Sequence, residues 1–513
     1  MGTVNEKAST PTDPIARPER AGSGAAAPAI ALLSYLMFDD SSAAISEQLR
    51  RELSEAAPGS RLPSTRSLAQ RFGAGPVTVQ KAIGRLVASG LVETRPGVGN
   101  FVLRSPSARG AGDVDWQTTS LGPDRTGPTP VGSTLRDVGP GTIALHSGYP
   151  SPDLVPLREV RSALQRAIRE NPWDRPPLVG VADLRAWFAR EAAPGLASAA
   201  PRPTDVVVTA GGQAALSAVF RALAAPGEAV VMESPTYWGA ISAARQAGLV
   251  IVPVARGAGA PRVADMDEAL RASGARIAYV QPTFANPTGA HWLPEERAAI
   301  MRVAADRGVF LVEDDWARDL AIAEPRPPLV ADDPDGHVVY IRSLTKSASL
   351  ALRVGAVIAR GPVRDRIAGA LASSDLYVSP VLQHAALDVV TRPSWQTHLA
   401  RLRRELRVRR DALAAAVSAH APSLTVASVP DGGLNLWARL PQDLDAQGVA
   451  ARCLAEGVAV SPGDEWFPAS VPGPHLRLNY GWADPAQFPE AARIIERVVG
   501  GSAVHERAAG ATE

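Results

Sequence analysis

Residues 142–500 alternate between two hydrophobic patterns. Stretches with an apolar residue every three to four positions, such as LREVRSALQRAIRE, predict amphipathic helices, and short continuous apolar runs between them predict buried strands. Strands that alternate with helices favour a mainly parallel sheet covered on both faces, in an α/β fold. The predicted strands are DVVVTA, AVVMES, RIAYVQP, GVFLVED, HVVYIRS and VGAVIAR.

The pattern changes from about Pro393 onward. A long helical stretch is followed by the strand-like segments GGLNLWARL and HLRLNYGW. This part of the chain predicts a smaller C-terminal α+β lobe. The final residues, 501–513, predict a flexible tail.

Residues 41–104 predict three helices followed by a hairpin. Ser64 is suited to cap the second helix, which should end near Phe72, and Pro76 is suited to the first turn of the third helix. Strand-like segments on either side of PGVG predict a two-stranded wing. The N-terminal domain is therefore predicted to be a winged helix-turn-helix of α+β structure.

Two further segments show no sustained apolar periodicity. Residues 1–40 are mostly polar and proline-rich and predict a disordered arm, whose one apolar run, 30–38, is too short to cross a membrane. Residues 105–141 are rich in Pro, Gly, Ser and Thr and predict a linker of moderate stiffness. Two folded domains joined by a linker are expected.

Composition restricts the partners and the compartment. The net charge of the 513 residues is only +1, so affinity for nucleic acid requires a local basic patch. Cys453 is the only cysteine, which excludes an intramolecular disulfide and fits the reducing cytoplasm. The eight histidines show no metal-ligand spacing, so no metal site is expected.

Residues 45–104 form such a basic patch, with nine basic and four acidic side chains and a net charge of +5. A positively charged winged helix-turn-helix is suited to the DNA backbone. A small protein-interaction domain is the alternative, and the hairpin and the charge favour DNA. The charged residues are Arg50, Arg51, Arg61, Arg66, Arg71, Lys81, Arg85, Arg95 and Arg104 against Glu47, Glu52, Glu55 and Glu93.

The segment RLPSTRSLAQRFGAGPVTVQKAIGRLVASGLVETRPGVGNFV resembles the winged helix-turn-helix of GntR-family regulators. The resemblance implies a double-stranded DNA operator, with Arg66 on a phosphate and the wing near the minor groove. The family often has arginine or serine where this chain has Pro76 and Val77. The other residues implied to bind DNA are Thr78, Gln80 and Lys81 on the recognition helix and Gly97 and Gly99 in the wing.

Glycines and polar side chains follow the predicted strands of residues 142–500. In open α/β sheets ligands bind beyond the carboxyl ends of the strands, so these groups are expected to lie together. A glycine pair before a helix can hold a phosphate, an aromatic side chain can stack on a ring, and a carboxylate can keep a pyridine nitrogen protonated. Each signal alone is weak, but together with an amine they meet the requirements of pyridoxal 5'-phosphate. The groups are Gly211, Gly212, Tyr237, Asn286, Asp314, Asp315, Lys346 and Arg353.

Lysine occurs only at Lys7, Lys81 and Lys346 in a chain that otherwise uses arginine. A buried lysine can lose its proton and attack a carbonyl to form a Schiff base, whereas arginine stays charged. A solvated lysine on a loop is the alternative for any single lysine. Because Lys7 is in the arm and Lys81 is on the DNA-binding helix, Lys346 is the amine left for a cofactor.

Residues 142–500 resemble class I aminotransferases of the pyridoxal 5'-phosphate-dependent transferase fold type I. The resemblance implies that Lys346 is the catalytic residue and forms the internal aldimine, and that Arg477 binds a substrate carboxylate. The other residues implied to bind the cofactor are Asp314 at the pyridinium nitrogen, Asn286 at the phenolic oxygen, Tyr237 on the ring, and Gly212, Gln213, Ser343 and Arg353 at the phosphate.

A GntR-like module followed by an aminotransferase-like domain is the arrangement of the MocR subfamily of GntR regulators. This resemblance implies a homodimeric transcriptional regulator that senses an amine or amino-acid effector through an external aldimine. The alternatives are an active class I aminotransferase with an accessory DNA-binding domain, and a DNA-binding protein with a vestigial cofactor site. Two features depart from the pattern: Trp316 stands where a tyrosine is usual, and no tyrosine precedes the glycine of GVADLR.

Overall fold

The computed structural model describes residues 41–53, 56–57, 59–103, 116–121, 132–170, 175–193 and 199–509. The predicted arm, residues 1–40, lies outside these ranges. The chain divides into two compact units, Met1–Pro123 and Asp124–Glu513, so that the division falls inside the predicted linker. No helix in the described ranges is both long enough and apolar enough to span a membrane.

The first unit contains the helices and the hairpin that the sequence predicts. Ser64 Oγ accepts a hydrogen bond from the Ser67 amide at 3.2 Å, which caps the second helix, and Gly73 ends that helix with a φ of 59°. Its elements are α1 (Ser41–Leu53), α2 (Thr65–Phe72), α3 (Pro76–Ala88), β1 (Val92–Arg95), β2 (Gly99–Val102) and α4 (Trp116–Leu121).

The core of the first unit lies between the three helices and the hairpin. It includes Leu49 of α1, Leu68 of α2 and Leu86 of α3, each at most 3% exposed. In the hairpin, Val92 pairs with Val102 and Arg95 pairs with Gly99. The wing is therefore held by backbone pairing and by a small apolar core, and its tip is left in solvent.

The second unit has an α/β part followed by a small lobe. The helices of the second unit are α5 (Leu157–Glu170), α6 (Ala182–Ala192), α7 (Gly212–Leu223), α8 (Trp238–Gln246), α9 (Val263–Ser273), α10 (Pro294–Arg307), α11 (Pro362–Asp375), α12 (Pro380–Thr391), α13 (Pro393–His420), α14 (Ala446–Ala455) and α15 (Phe488–Ala509). The strands are β3 (Ile143–Ala144), β4 (Val206–Thr209), β5 (Ala229–Ser234), β6 (Val250–Ala255), β7 (Ile277–Val280), β8 (Phe310–Asp315), β9 (Val338–Ser343), β10 (Gly355–Ile358), β11 (Thr425–Val426), β12 (Asn435–Arg439), β13 (Val458–Ala459), β14 (Ser461–Pro462) and β15 (His475–Asn479).

The central sheet has seven strands in the order β4-β10-β9-β8-β7-β5-β6. Strand β10 is antiparallel to both of its neighbours, and the pairs formed by β5 to β9 are parallel. Helices pack on both faces through two separate apolar clusters, as a parallel sheet requires. The carboxyl ends of β4, β5, β7, β8 and β9 consequently meet along one edge.

The small lobe follows α13, a helix of 28 residues. Its antiparallel sheet has the order β11-β12-β15-β14, and α14 and α15 share a third apolar cluster with it. Cys453 of α14 is buried in that cluster. The predicted α+β lobe is thus present, and β15 carries Arg477.

Three segments differ from the sequence-based expectations. Strand β6 was not predicted, because VIVPVA contains a proline; the strand lies at the sheet edge with most of its side chains exposed or half-buried, where a missing amide is tolerated. Helix α4 lies within the predicted linker, and residues 132–141 of that linker belong to the second unit. Helix α15 extends through Ala509, into the segment predicted to be a flexible tail.

Candidate functional site

A cavity of about 440 Å³ lies at the carboxyl edge of the central sheet. All eight residues that the sequence assigns to the cofactor line this cavity: Gly212, Gln213, Tyr237, Asn286, Asp314, Ser343, Lys346 and Arg353. The remaining lining residues are Leu135, Tyr149, Leu216, Trp238, Trp316, Thr345 and Leu350. Sequence reasoning singled out only Trp316 among them, as a departure from the family pattern, and missed the others.

Two aromatic rings lie near the amine of Lys346. Its Nζ lies 4.2 Å from the ring centroid of Trp316 and 5.8 Å from that of Tyr149. Burial lowers the pKa of Lys346 to about 7, the positive charge of Arg477 contributes to that lowering, and the carboxylate of Asp314 opposes both. A substantial fraction of this amine is therefore neutral near pH 7, which is the form that attacks a carbonyl.

Asp314 lies at the end of β8 and is buried. Its Oδ2 accepts hydrogen bonds from Tyr279 Oη at 2.7 Å and from Gln281 Nε2 at 3.1 Å. Burial raises the pKa of Asp314 to about 6, against the lowering by the Tyr279 hydrogen bond and by the charge of Lys346. Because side chains alternate along a strand, Asp315 points to the other face, where it accepts a hydrogen bond from Tyr340 Oη.

An anion cradle forms where β4 leads into α7. Gly211 has a φ of 88°, and a side chain there would place its Cβ 3.0 Å from Arg353 Nη2, so glycine is required. Helix α7 begins at Gly212 and has no side-chain cap among the described residues, which leaves its first amides free to bind an anion. On the opposite side Ser343 Oγ donates to Thr345 Oγ1 at 3.0 Å.

Tyr237 and Asn286 line the same cavity as Asp314. Tyr237 Oη donates to Gln213 Oε1 at 3.2 Å, and burial raises the pKa of this phenol above its usual value. A Cβ at Gly239 would lie 2.4 Å from the ring of Tyr237, so a glycine there lets the ring take this position. Asn286 is 4% exposed, and its Oδ1 has no hydrogen-bond partner among the described residues.

Trp316 forms a hydrogen bond that the sequence did not reveal. Its indole N–H donates to the Phe284 carbonyl at 2.9 Å, so the one hydrogen bond that this side chain can donate is already formed. Its ring instead faces the amine of Lys346. Where the subfamily usually has a phenolic hydroxyl, this chain therefore presents an apolar surface.

Arg477 is fully buried on β15 and lies outside the cavity wall. Its Nη1 donates to the carbonyls of His146 and Ser147 at 3.2 and 3.3 Å, while its Nε has no partner among the described residues. Burial lowers the pKa of Arg477 to about 9, and the nearby carboxylate of Glu465 opposes that shift. The guanidinium remains charged at neutral pH and affects the amine of Lys346 electrostatically.

The C-terminal end of the predicted linker contributes to the cavity wall. Leu135 lines the cavity, and Ser133 makes three hydrogen bonds of 3.0 Å to the Glu465 carboxylate, two from its amide and one from its hydroxyl. Gly132 lies so close to the Trp238 ring that a Cβ there would approach it to 2.7 Å. Ser133 and Glu465 lie 332 residues apart in the sequence, so no local sequence pattern could have revealed their contact.

The residues predicted to bind DNA lie at the surface of the first unit. Arg66 of α2, Gln80 and Lys81 of α3 and Gly97 at the wing tip are exposed, while Thr78 and Gly99 are half-buried. A groove of about 610 Å³ separates α3 from the wing, and Gln80, Gly97 and Gly99 line it. Arg61, which was not assigned to the site, also lines the groove, and its Nε would lie 2.8 Å from a Cβ at Gly99.

Comparison with known proteins agrees with both parts. Residues 143–495 match the family "Aminotransferase class I and II", and residues 41–102 match "Bacterial regulatory proteins, gntR family". The chain is 30% identical to 2-aminoadipate transaminase of Thermus thermophilus over 72% of this chain and 94% of that one. The crystal structure of LysN, an alpha-aminoadipate aminotransferase from Thermus thermophilus complexed with N-(5'-phosphopyridoxyl)-L-leucine, has a TM-score of 0.69 and 29% identity, covering 75% and 98% of the two chains.

Other relatives carry both parts. The HTH-type transcriptional regulator TauR of Rhodobacter capsulatus is 28% identical, over 92% of this chain and all of that one. The probable rhizopine catabolism regulatory protein MocR of Rhizobium meliloti is also 28% identical, over 88% and 92% of the two chains. The chain therefore belongs to the class I and II aminotransferase family and, through its GntR module, to the MocR-like subfamily of GntR transcriptional regulators.

Proposed function

We propose that this protein is a transcriptional regulator that binds a DNA operator through its first unit and pyridoxal 5'-phosphate through its second. An amine or amino-acid effector would form an external aldimine with the cofactor and so change the affinity for DNA. We further propose that the protein acts as a cytoplasmic homodimer. The observation that carries the proposal is one cavity with a buried lysine whose pKa is lowered to about 7, a buried carboxylate and an anion cradle, in a chain that also carries a GntR module.

The chemistry of the cavity residues fits the cofactor. The cradle at Gly212 and Arg353 is suited to a phosphate, and the orphaned side-chain oxygen of Asn286 marks a polar group that still needs a partner. Asp314 is held by two donors in a position suited to a ring nitrogen. When bound, pyridoxal 5'-phosphate supplies an aldehyde that condenses with amines and a ring that accepts electrons.

Four residues would set the ligand chemistry. Lys346 would provide the neutral amine, and Asp314 the anion that stabilises a protonated ring. Tyr237 would pack on the ring face. Arg477, charged and with an unsatisfied Nε, would attract a ligand carboxylate, which favours amino acids over simple amines.

The segment at residues 132–136 would connect ligand binding in the cavity to the rest of the linker. Leu135 lines the cavity, and Ser133 is bonded to Glu465, a carboxylate whose charge interacts with Arg477. A ligand carboxylate at Arg477 would compete with Glu465 for the same positive charge. Because Ser133 continues into the linker along the chain, this competition would reach the DNA-binding unit.

The second candidate function is an active aminotransferase with an accessory DNA-binding domain. The low pKa of Lys346 favours it, because the same neutral amine that binds a cofactor can move protons during turnover. The environment of Trp316 favours regulation instead. Its indole N–H is already bonded to Phe284, so the cavity lacks a hydroxyl donor at that position.

A titration on one sample separates the two functions. Full-length protein loaded with pyridoxal 5'-phosphate is mixed with single amino acids, while the cofactor absorbance, the DNA affinity and the ketoacid produced are all measured. Regulation predicts a spectral shift and a changed DNA affinity, with ketoacid forming far more slowly than the ligand binds. Sustained turnover at about 1 to 10³ per second without a change in DNA affinity would favour the enzyme.

A further inference from the structure

Helix α3 presents an exposed stripe that its packing does not explain. Val79, Ala82, Ile83 and Leu86 are buried and account for the inner face of the helix. The opposite side carries residues at spacings of three and four, which share one face of a helix. These residues are Val77, Gln80, Lys81 and Gly84, all of them exposed.

Val77 is the least expected member of the stripe. It lies in the first turn of α3, directly after Pro76, and it is 68% exposed. It does not belong to the apolar cluster that forms the core of the described first unit. An exposed branched apolar side chain at the start of a recognition helix is suited to contact with another apolar group on a partner.

Gln80 is the polar neighbour of Val77 on this face. Within the described residues its side-chain amide makes no hydrogen bond, and it lines the groove between α3 and the wing. One turn further on, a Cβ at Gly84 would meet nothing within 4 Å. The centre of the stripe is thus uncharged and unobstructed, and Lys81 lies at its margin.

We infer that Val77 and Gln80 together read an A·T step in the major groove. In that groove, adenine offers a donor and an acceptor to a glutamine amide, and thymine offers its C5-methyl group to an apolar side chain. Guanine is read most often by the forked donors of arginine or by lysine, and neither occupies position 77 or 80. The first residues of a recognition helix are those that meet base edges, and the spacing of three places both side chains on adjacent bases.

This inference rests on the proposed function, because it requires that the first unit binds DNA. The operator is first obtained by selecting bound duplexes from a random library with the full-length protein. Each thymine of the selected site is then replaced by deoxyuridine, which removes only the C5-methyl group, and each adenine by 7-deazaadenine, which removes only the N7 acceptor.

We expect that binding of the full-length protein is weakened by replacing one thymine and one neighbouring adenine of the operator. Deoxyuridine should weaken binding by about fourfold, the value of one buried methyl group. 7-Deazaadenine should weaken it by roughly 2- to 10-fold, the value of one hydrogen bond. Val77→Ala should abolish the deoxyuridine effect and keep the 7-deazaadenine effect, and Gln80→Ala should do the reverse.

Val87→Ala is the matched control, because Val87 is a second exposed valine of α3 that lies in the last turn of the helix, far from the first residues that meet base edges. This variant should keep both effects. If no position responds to deoxyuridine, or if Val77→Ala still responds, the inference is overturned while DNA binding stands. If the library yields no preferred sequence at all, the proposed DNA regulation itself fails.

Discussion

The two units build their functional surfaces in opposite ways. In the first unit the residues assigned to DNA are exposed or half-buried on two helices and a wing, and a small apolar core holds them from behind. In the second unit the residues assigned to the cofactor line a cavity where burial moves the pKa of Lys346 down to about 7 and that of Asp314 up to about 6. The candidate DNA-binding surface therefore keeps its charged groups in water, whereas the candidate cofactor site takes its charged groups out of water.

The two lysines of the described chain make this contrast directly testable. Lys346→Ala should abolish covalent attachment of pyridoxal 5'-phosphate, because no other described residue in the cavity offers an amine, while DNA binding should persist. Borohydride reduction followed by peptide mapping measures the attachment site. Lys81→Ala is the matched control and should retain full attachment; label recovered on Lys81 or Lys7 would contradict the assignment.

The next largest effect concerns pH. Below about pH 7 the amine of Lys346 is protonated and unreactive, so its rate of acetylation by trace acetic anhydride should fall about tenfold per pH unit. Since the charge of Asp314 raises this pKa, Asp314→Asn should move the midpoint to lower pH. Peptide mapping gives the rate at Lys346, and the exposed Lys81 serves as internal reference. A midpoint near the ordinary lysine value of about 10.4 would refute the burial argument.

On the DNA side the effects are smaller and depend on salt. Arg66→Ala and Lys81→Ala should each weaken operator binding and reduce the slope of log affinity against log salt by about one. Arg71→Ala is the control, since Arg71 forms an ion pair with Glu52 and is not assigned to phosphate. Fluorescence anisotropy at several salt concentrations measures the slopes. Equal slopes for Lys81→Ala and the wild type would mean that Lys81 contacts no phosphate.

Much of the fold and the cofactor cavity could be predicted from local signals. Ser64 caps α2 and Pro76 begins α3, as their chemistry favours. The motifs around Asp314 and Lys346 follow strands whose ends must meet at one sheet edge. The bond between Ser133 and Glu465 could not be predicted, because it depends on the packing of segments far apart in the chain. The role of Trp316 was only half predicted, since its bond to Phe284 depends on the fold.

The smallest effect tests whether the cavity communicates with the linker. Ser133→Ala removes one hydrogen bond to Glu465 and leaves the carboxylate in place, a loss of about 1 kcal/mol. If Ser133 transmits ligand binding, this variant should bind the effector with an affinity within about twofold of the wild type, and effector binding should change the DNA affinity less, because about 1 kcal/mol corresponds to roughly a fivefold change in an equilibrium. Ser423→Ala is the matched control: Ser423 bonds Glu496 through the same two groups, away from the cavity, so it should lose similar stability and keep the full DNA response. Thermal unfolding and anisotropy with and without effector measure both quantities, and an unchanged DNA response in Ser133→Ala would show that the signal leaves the cavity by another route.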